Sequence, residues 1–314
     1  MTREEHWALW HADRHATPFQ SPAWLDAWWT HLGGGERLDA EVRDDAGRLI
    51  AALPLFVWVD GGTRRLVPVG AGHSDYSDAM VDPNTADAVA RLWAEIARTA
   101  DRWDELLLPD LRADSPLLGA VPGGWRVEDA AHETCPVLTL PEEGAVLAVL
   151  TKSQRRKIVH DRHRAANLGG VEARLVEANE IDAALDALFA LHAARWQIEG
   201  EAGVLADPRV QDFHRAASPA LAAAGLLRLA TVTHAGETVA VLLGFCDGAR
   251  GYSYINGVAF VPGQSFGTLA FGCLIEAVAV EGAREFHFLR GEEPYKYGWG
   301  AHPTRTVRRT IRRD

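Results

Sequence analysis

Between Arg250 and Leu289 the chain is written strand, glycine turn, apolar helix, strand, and no other stretch limits the fold as tightly. Residues 250–258 alternate as a strand, Gly263-Gln264-Ser265-Phe266-Gly267 interrupts them, residues 266–281 carry apolar side chains at helical spacing, and residues 285–289 are again strand-like. Two strands joined through a helix cannot pair as a hairpin. They lie parallel in one sheet, with the helix crossing one face in the right-handed sense. The expected fold is therefore mixed α/β. The turn adds chemistry of its own, because the first N–H groups of a helix lack intrahelical partners and carry the positive end of the helix dipole. Gly263 can take the positive φ of a sharp strand-to-helix turn, and Gly267 lets a bulky anion approach the backbone with no Cβ in the way.

Four other segments frame this unit: Pro18-Phe19-Gln20-Ser21-Pro22-Ala23-Trp24, Gly70-Ala71-Gly72-His73-Ser74-Asp75-Tyr76, Ser153-Gln154-Arg155-Arg156 and Gly291-Glu292-Glu293-Pro294-Tyr295-Lys296. Together they make the whole chain resemble the GNAT-related acyltransferases of the cellulose-biosynthesis (CelD-like) and BioF-like type, which are distant relatives of the Fem-type peptidoglycan aminoacyltransferases. The resemblance implies two tandem GNAT-like lobes: residues 1–145 on the acceptor side and residues 146–314 with the acyl-donor site. It also implies acetyl-CoA or another acyl-CoA as co-substrate, with no metal, and assigns the donor to Gly263, Gln264, Ser265, Phe266, Gly267 and Thr268. One departure is visible. The phosphate loop of that family reads Gln/Arg-x-x-Gly-x-Gly/Ala, and here Leu269 holds the last place.

Length and charge agree with two cores. A chain of 314 residues exceeds the usual span of one domain, and its 47% hydrophobic and 24% charged content is that of a globular protein. Residues 1–150 hold 12 Lys+Arg against 25 Asp+Glu, whereas residues 151–314 hold 20 against 18. An anionic donor suits the second half better. Duplex nucleic acid is not an expected partner, since basic residues cluster only at 152–164 and 305–313. No 18-residue apolar run and no basic-then-apolar leader pattern is present, so no membrane span and a cytoplasmic location are expected. Cys135, Cys246 and Cys273 are odd in number, far apart and set in or beside apolar runs, and read as buried free thiols.

The coarse element pattern follows. Residues 3–32 are helical, broken at Pro18 and Pro22, with five tryptophans that pack a core or a lobe interface. Strands are expected at 39–42, 49–59, 64–69, 106–108 and 136–140, with a helix at 86–99 and a lobe boundary after Pro141-Glu142-Glu143-Gly144. A basic helix at 147–167, a strand at 171–176, helices at 181–199 and 208–224, a hairpin at 226–246 and a closing strand at 304–311 complete the second lobe.

Catalytic candidates concentrate near the end. The chain has 29 arginines and three lysines, so Lys296 survives a strong bias toward guanidinium, and a compact, titratable amine is what an arginine cannot replace. By resemblance to a Tyr-Lys motif of the Fem-type relatives, Lys296 stabilises the developing oxyanion; the alternative is an exposed lysine paired with Glu292 or Glu293. Glu292 and Glu293 follow a strand end, where open α/β sheets present functional loops, and either could act as base or neutralise Arg290. Tyr295 is the candidate acid and Tyr254 the second. His73, Asp75 and Tyr76 form a candidate acceptor pocket for a small-molecule, sugar or peptide acceptor, with His73 an alternative base and a capped turn the competing reading. Arg195, Trp196 and Arg290 are further substrate-binding candidates, although Arg195 also suits a helix C-terminus.

Gly263-Gln264-Ser265-Phe266-Gly267 also fits the Gly-x-Ser-x-Gly elbow of serine hydrolases, which would make Ser265 a nucleophile with His287 or His302 downstream. Two further readings stand beside acyl-CoA transfer: an aminoacyltransferase using charged tRNA, and a non-catalytic ligand-binding protein. The sequence pattern sets neither the acceptor nor the oligomeric state.

Overall fold

The computed structural model describes residues 1–142 and 145–313. Glu143 and Gly144, at the expected junction, lie outside the described residues. The chain divides into two compact units, one of Met1–Thr134 with the tail from Arg305 onward, the other of Cys135–Thr304. The tail thus belongs with the first unit, whereas the linear reading of the sequence gave it to the second.

The first unit begins with α1 (Arg3–Ala12), capped by a Thr2/Glu5 box, and α2 (Pro22–Leu32), whose Ser21 cap and leading Pro22 fix its start. Its strands are β1 (Glu36–Arg37), β2 (Ala40–Arg43), β3 (Leu49–Leu53), β4 (Leu55–Asp60), β5 (Thr63–Pro68) and β6 (Met80–Val81); α3 (Ala88–Arg98), β7 (Glu105–Leu111) and most of β8 (Trp125–Thr139) follow. The apolar run 49–59 reads as one strand but forms two. Pro54 has no N–H to give a ladder, and the chain changes sheet there: β3 pairs with β2 and β6, and β4 with β1 and β5. Tryptophan indoles fasten the segment that follows β5. Trp24 Nε1 donates to Ser74 Oγ at 2.9 Å and Trp28 Nε1 to His73 Nδ1 at 3.1 Å.

The second unit contains α4 (Lys152–Leu168), β9 (Val171–Leu175), α5 (Ile181–Glu199), α6 (Pro208–Ala223), β10 (Leu227–His234), β11 (Glu237–Cys246), β12 (Arg250–Val258), α7 (Phe266–Val280), β13 (Glu285–His287) and the short α8 (Pro294–Gly298); β14 (His302–Arg313) carries the chain back to the first unit, pairing there with β7. The order is β13-β12-β11-β10-β9, antiparallel throughout except for the expected parallel β12–β13 pair. Two glycines let α7 lie close on this sheet. A Cβ at Gly251 would stand 2.6 Å from Val278 Cγ2, and one at Gly244 would stand 2.6 Å from a Leu274 methyl, so either addition overpacks a dense core, typically by about 1–3 kcal/mol.

A bulge divides β12. Gly244 pairs with Ser253 and Leu243 with Ile255, which leaves Tyr254 as the extra residue. Gly251 meets α7, whereas Gly257, six residues on, meets Leu188 and Leu191 of α5. Without the bulge an even spacing would have turned both toward one helix.

Candidate functional site

The bulge lies just beyond the last residue of β12 that pairs with β13. β12 and β13 pair only at Arg250–Glu285, Gly251–Phe286 and Tyr252–His287; β12 then runs on to Val258 while β13 stops. Phe288 N–H turns to Pro136 O at 2.9 Å, and the backbone at Leu289 (φ 56°) and Gly291 (φ 107°) carries the chain away from β12. A positive φ at a leucine is costly and marks a turn held by its surroundings.

Lys296 holds it. Its ammonium is buried and donates to Leu289 O at 3.2 Å, Arg290 O at 2.6 Å and Gly291 O at 3.1 Å, with Glu293 Oε2 at 2.9 Å. Three N–H bonds thus face four acceptors in one turn. In this arrangement the ammonium gives its protons to the turn, and the oxyanion role expected of it would need one of these bonds to be released; of the alternative, the pairing with Glu293 is present but the lysine is buried rather than exposed. Lys296 is the clamp of the turn, and Arg290 contributes its carbonyl to it. Glu293 is committed to the clamp, and the glutamates are not packed into a desolvated pocket: both are exposed. Glu292 is hydrogen-bonded to Tyr297, whose phenol is pushed up mainly by desolvation and further by that carboxylate.

Tyr295 reaches from the clamped turn to β12, where its hydroxyl is hydrogen-bonded to the Asn256 side chain. Its ring packs on Phe271 at 5.1 Å and Phe288 at 6.5 Å. Although 39% of the residue faces solvent, desolvation of its hydroxyl pushes the phenol well above the ordinary tyrosine value, and the Glu293 carboxylate adds to this while Arg195 opposes it. Tyr295 therefore keeps its proton at neutral pH, held where β12 and β13 separate. Tyr254, the second candidate, lies at the bulge with its ring against Phe245 at 5.6 Å. Arg195 is exposed on α5 and acts on Tyr295 through its charge. Trp196 instead donates its indole N–H to His192 Nε2 at 2.9 Å and packs against Gly203.

The turn at the other end of the β12–α7 connection is built differently. Gly263 has φ 77°, and Ser265, the N-cap of α7, makes no side-chain capping bond. Thr268 N–H is satisfied by Ser265 O at 2.9 Å, while among the described residues the amides of Phe266 and Gly267 have no partner. The Gln264 side-chain oxygen is buried and also lacks one. The Phe266 side chain lies in the core, 1% exposed, so only its amide is offered. The Thr268 hydroxyl is engaged, donating to Asp161 Oδ2 at 3.1 Å, and Lys157 Nζ neutralises that carboxylate at 2.9 Å. Both Asp161 and Lys157 belong to α4, which brings a further cation: a Cβ at Gly263 would lie 2.5 Å from an Arg164 guanidinium nitrogen. Arg164, Asn256 and Asp161 were not singled out from the sequence. The basic run was visible, but which of its cations reaches Gly263 depends on how α4 packs on α7.

Ser265 has an ordinary φ of −127° and, among the described residues, no histidine partner, while His287 is bound to Glu285 on β13 at 3.1 Å. The elbow reading loses its acid–base pair. His73, Asp75 and Tyr76 lie in the first unit, where Asp75 and Tyr76 are buried, Tyr76 O accepts from Gln20 Nε2 at 2.8 Å and the Tyr76 ring sits edge-on to Phe19. The three cysteines are free. Cys135 and Cys246 are buried, with Cys246 pushed up to about 11 by desolvation, and Cys273 is half-buried. No group of three or more His, Cys, Asp or Glu able to hold a metal occurs among the described residues.

Comparison with known proteins bears on the second unit and on the fold. Residues 152–297 match the family model described as an acetyltransferase (GNAT) domain, so the bare turn, α7 and the clamped turn all fall inside the match. No protein of curated function matches the sequence. Among solved structures the chain is similar to FemX (TM-score 0.67, 11% identity, 98% of this chain and 96% of that one), to a conserved protein of unknown function from Bacteroides thetaiotaomicron (0.64, 12%, 100% and 98%) and to L-PGS from Bacillus licheniformis (0.58, 11%, 93% and 92%). At these identities the likeness concerns the fold. The fold is mixed α/β, and the stretch that matches the GNAT model lies in the second unit.

Proposed function

We propose that the protein transfers an acyl group from an acyl-CoA thioester to an amine or hydroxyl acceptor by direct attack within a ternary complex. The observation that carries this reading is the pair of unpartnered amides at the start of α7, beside the Arg164 guanidinium and a glycine that leaves the backbone bare. A donor pyrophosphate is the ligand such a turn suits, with two N–H donors, the helix dipole and one guanidinium brought to one turn. Leu269 in place of a loop glycine takes nothing from the two amides, which precede it. The thioester end of the donor would run along the unpaired part of β12 toward Tyr295.

In the reaction the acceptor nitrogen or oxygen attacks the thioester carbonyl, forming the new C–N or C–O bond. As the C–S bond breaks, Tyr295 gives its phenolic proton to the leaving thiolate, and Glu292, the carboxylate of the turn not held by Lys296, takes the proton released by the acceptor. Solvent returns a proton to Tyr295. Lys296 acts through the turn as a positioning residue. A covalent cysteine step has no support, because buried, protonated thiols are poor nucleophiles.

The test is a calorimetric titration with acetyl-CoA, longer acyl-CoAs and free CoA. Saturable binding, weakened at least tenfold in Gly267→Glu, is the expected result. No binding of any CoA, with transfer only from charged tRNA, would overturn the reading.

A further inference from the structure

The exposed face of α4 is not used by the proposed reaction. The helix carries six Lys and Arg against one acid, Asp161, and that acid is buried on the face packed against α7. Its buried residues, Ile158, Asp161 and Ala165, define one side. On the other, Lys152, Arg156, His160 and His163 fall within a quarter-turn arc at 3.6 residues per turn, and all four are exposed. The remaining cations are occupied: Arg155 donates to Leu147 O, Lys157 pairs with Asp161, and Arg162 with Glu276. Among the described residues no carboxylate pairs with Lys152, Arg156, His160 or His163. The stripe spans 11 residue steps, about 17 Å at 1.5 Å per residue.

Exposed apolar side chains flank this helix along the chain and near the turn that Arg164 reaches. Val149 precedes α4 and is 47% exposed, Leu168 ends it and is 41% exposed, and Phe260, three residues before the Gly263 that Arg164 covers, is 83% exposed beside Val261. Cations in a row suit any polyanion. Cations bordered by aliphatic side chains and one protruding phenylalanine suit an interface that is anionic at its surface and apolar beneath.

We propose that this face of α4, with Phe260 and Val261, docks the protein peripherally on a bilayer containing anionic phospholipid. The cations contact headgroup phosphates, and Phe260 enters the boundary between headgroups and acyl chains. No helix among the described residues is long and apolar enough to cross a membrane, so the contact is one of surface adsorption. It is independent of the acyl-transfer reading, because none of Lys152, Arg156, His160 or Phe260 belongs to the donor turn or to the Tyr295 cluster.

The experiment is co-sedimentation of the full chain with sucrose-loaded vesicles, of phosphatidylcholine alone or with a quarter phosphatidylglycerol, at low and physiological salt. Binding is expected only with phosphatidylglycerol, falling with salt. Lys152→Glu/Arg156→Glu should lower the partition coefficient about thirty-fold, the size of two lost cation–headgroup contacts, and Phe260→Ser several-fold at unchanged charge. All three positions are exposed, so the variants should keep the wild-type melting temperature, which confirms that they are folded. Equal binding by the charge-reversed variant, or no sedimentation with anionic vesicles at low salt, overturns the proposal. Sedimentation abolished by single-stranded RNA that itself binds more tightly than the vesicles overturns it too, by assigning the face to nucleic-acid phosphates. Acyl-CoA titration of the same variants keeps the two readings apart, since donor binding should not change.

Discussion

Two turns leave the same pair of strands, and the chain treats them in opposite ways. The turn after β12 has its helix cap unmade and two amides bare, with an arginine from another helix laid over a glycine. The turn after β13 has its carbonyls saturated: three accept from one buried ammonium, and the carboxylate that balances the charge comes from the same turn. Backbone groups left unpaired near the surface are available to a ligand, whereas groups paired by a buried ion are spent on conformation. Both segments look equally functional in sequence, one for its glycines and the other for its charges. Their hydrogen-bond accounts separate a place for binding from a place for positioning.

The contrast can be broken most sharply at Tyr295, which the clamped turn delivers to Asn256. Tyr295→Phe keeps the ring packing and removes the proton, so kcat for acyl transfer should fall by about 10²–10⁴ with the donor KM changed only a few-fold. A loss confined to KM would make Tyr295 a binding residue instead. Next is the clamp itself. Lys296→Met leaves Leu289, Arg290 and Gly291 carbonyls without their donor, and urea unfolding should show a loss of about 2–4 kcal/mol, in the range of a broken buried charge network. Unchanged stability with a large drop in kcat would return Lys296 to the role of oxyanion donor.

The open turn should respond in the other parameter. Arg164→Ala removes one charge-assisted contact, which should raise the Kd for acyl-CoA about tenfold and leave kcat and melting temperature near wild type. A fall in stability with no change in Kd would mean that Arg164 only packs on Gly263. The smallest effect is expected from Ser265→Ala. Its hydroxyl caps nothing, so activity should stay within about two-fold, and a loss of a hundred-fold or more would restore the nucleophile reading.

How much of this was legible can be argued element by element. The bounds 181–199 and 250–258 are those read from periodicity alone, and the parallel β12–β13 crossover follows from the order strand, helix, strand. Gly263 does take a positive φ. By contrast, residues 125–135 of β8 went unread, because only Thr134 and Cys135 among them are buried and beyond Glu128 the alternation that marks a half-buried strand is missing. The continuous run 49–59 hid a change of sheet at Pro54. In the site, the composition bias that singled out Lys296 was a real signal, but it located an amine without saying what the amine would meet. Arg164 and Asn256 carried no signal of their own, since the partner of the first, Gly263, lies roughly one hundred residues away along the chain and that of the second, Tyr295, roughly forty.

The sequence alone determined the kinds and order of the elements, the strand-turn-helix that offers bare amides, and the concentration of polar chemistry in residues 290–296, because these follow from local periodicity, glycine placement and residue type. Only the tertiary structure decided which charges are spent and which are left. It buried Lys296 in its own turn, laid Arg164 over Gly263, brought Tyr295 to Asn256 and left the outer face of α4 unpaired. Those outcomes depend on desolvation and on partners distant in sequence, and neither is a property of any local stretch of chain.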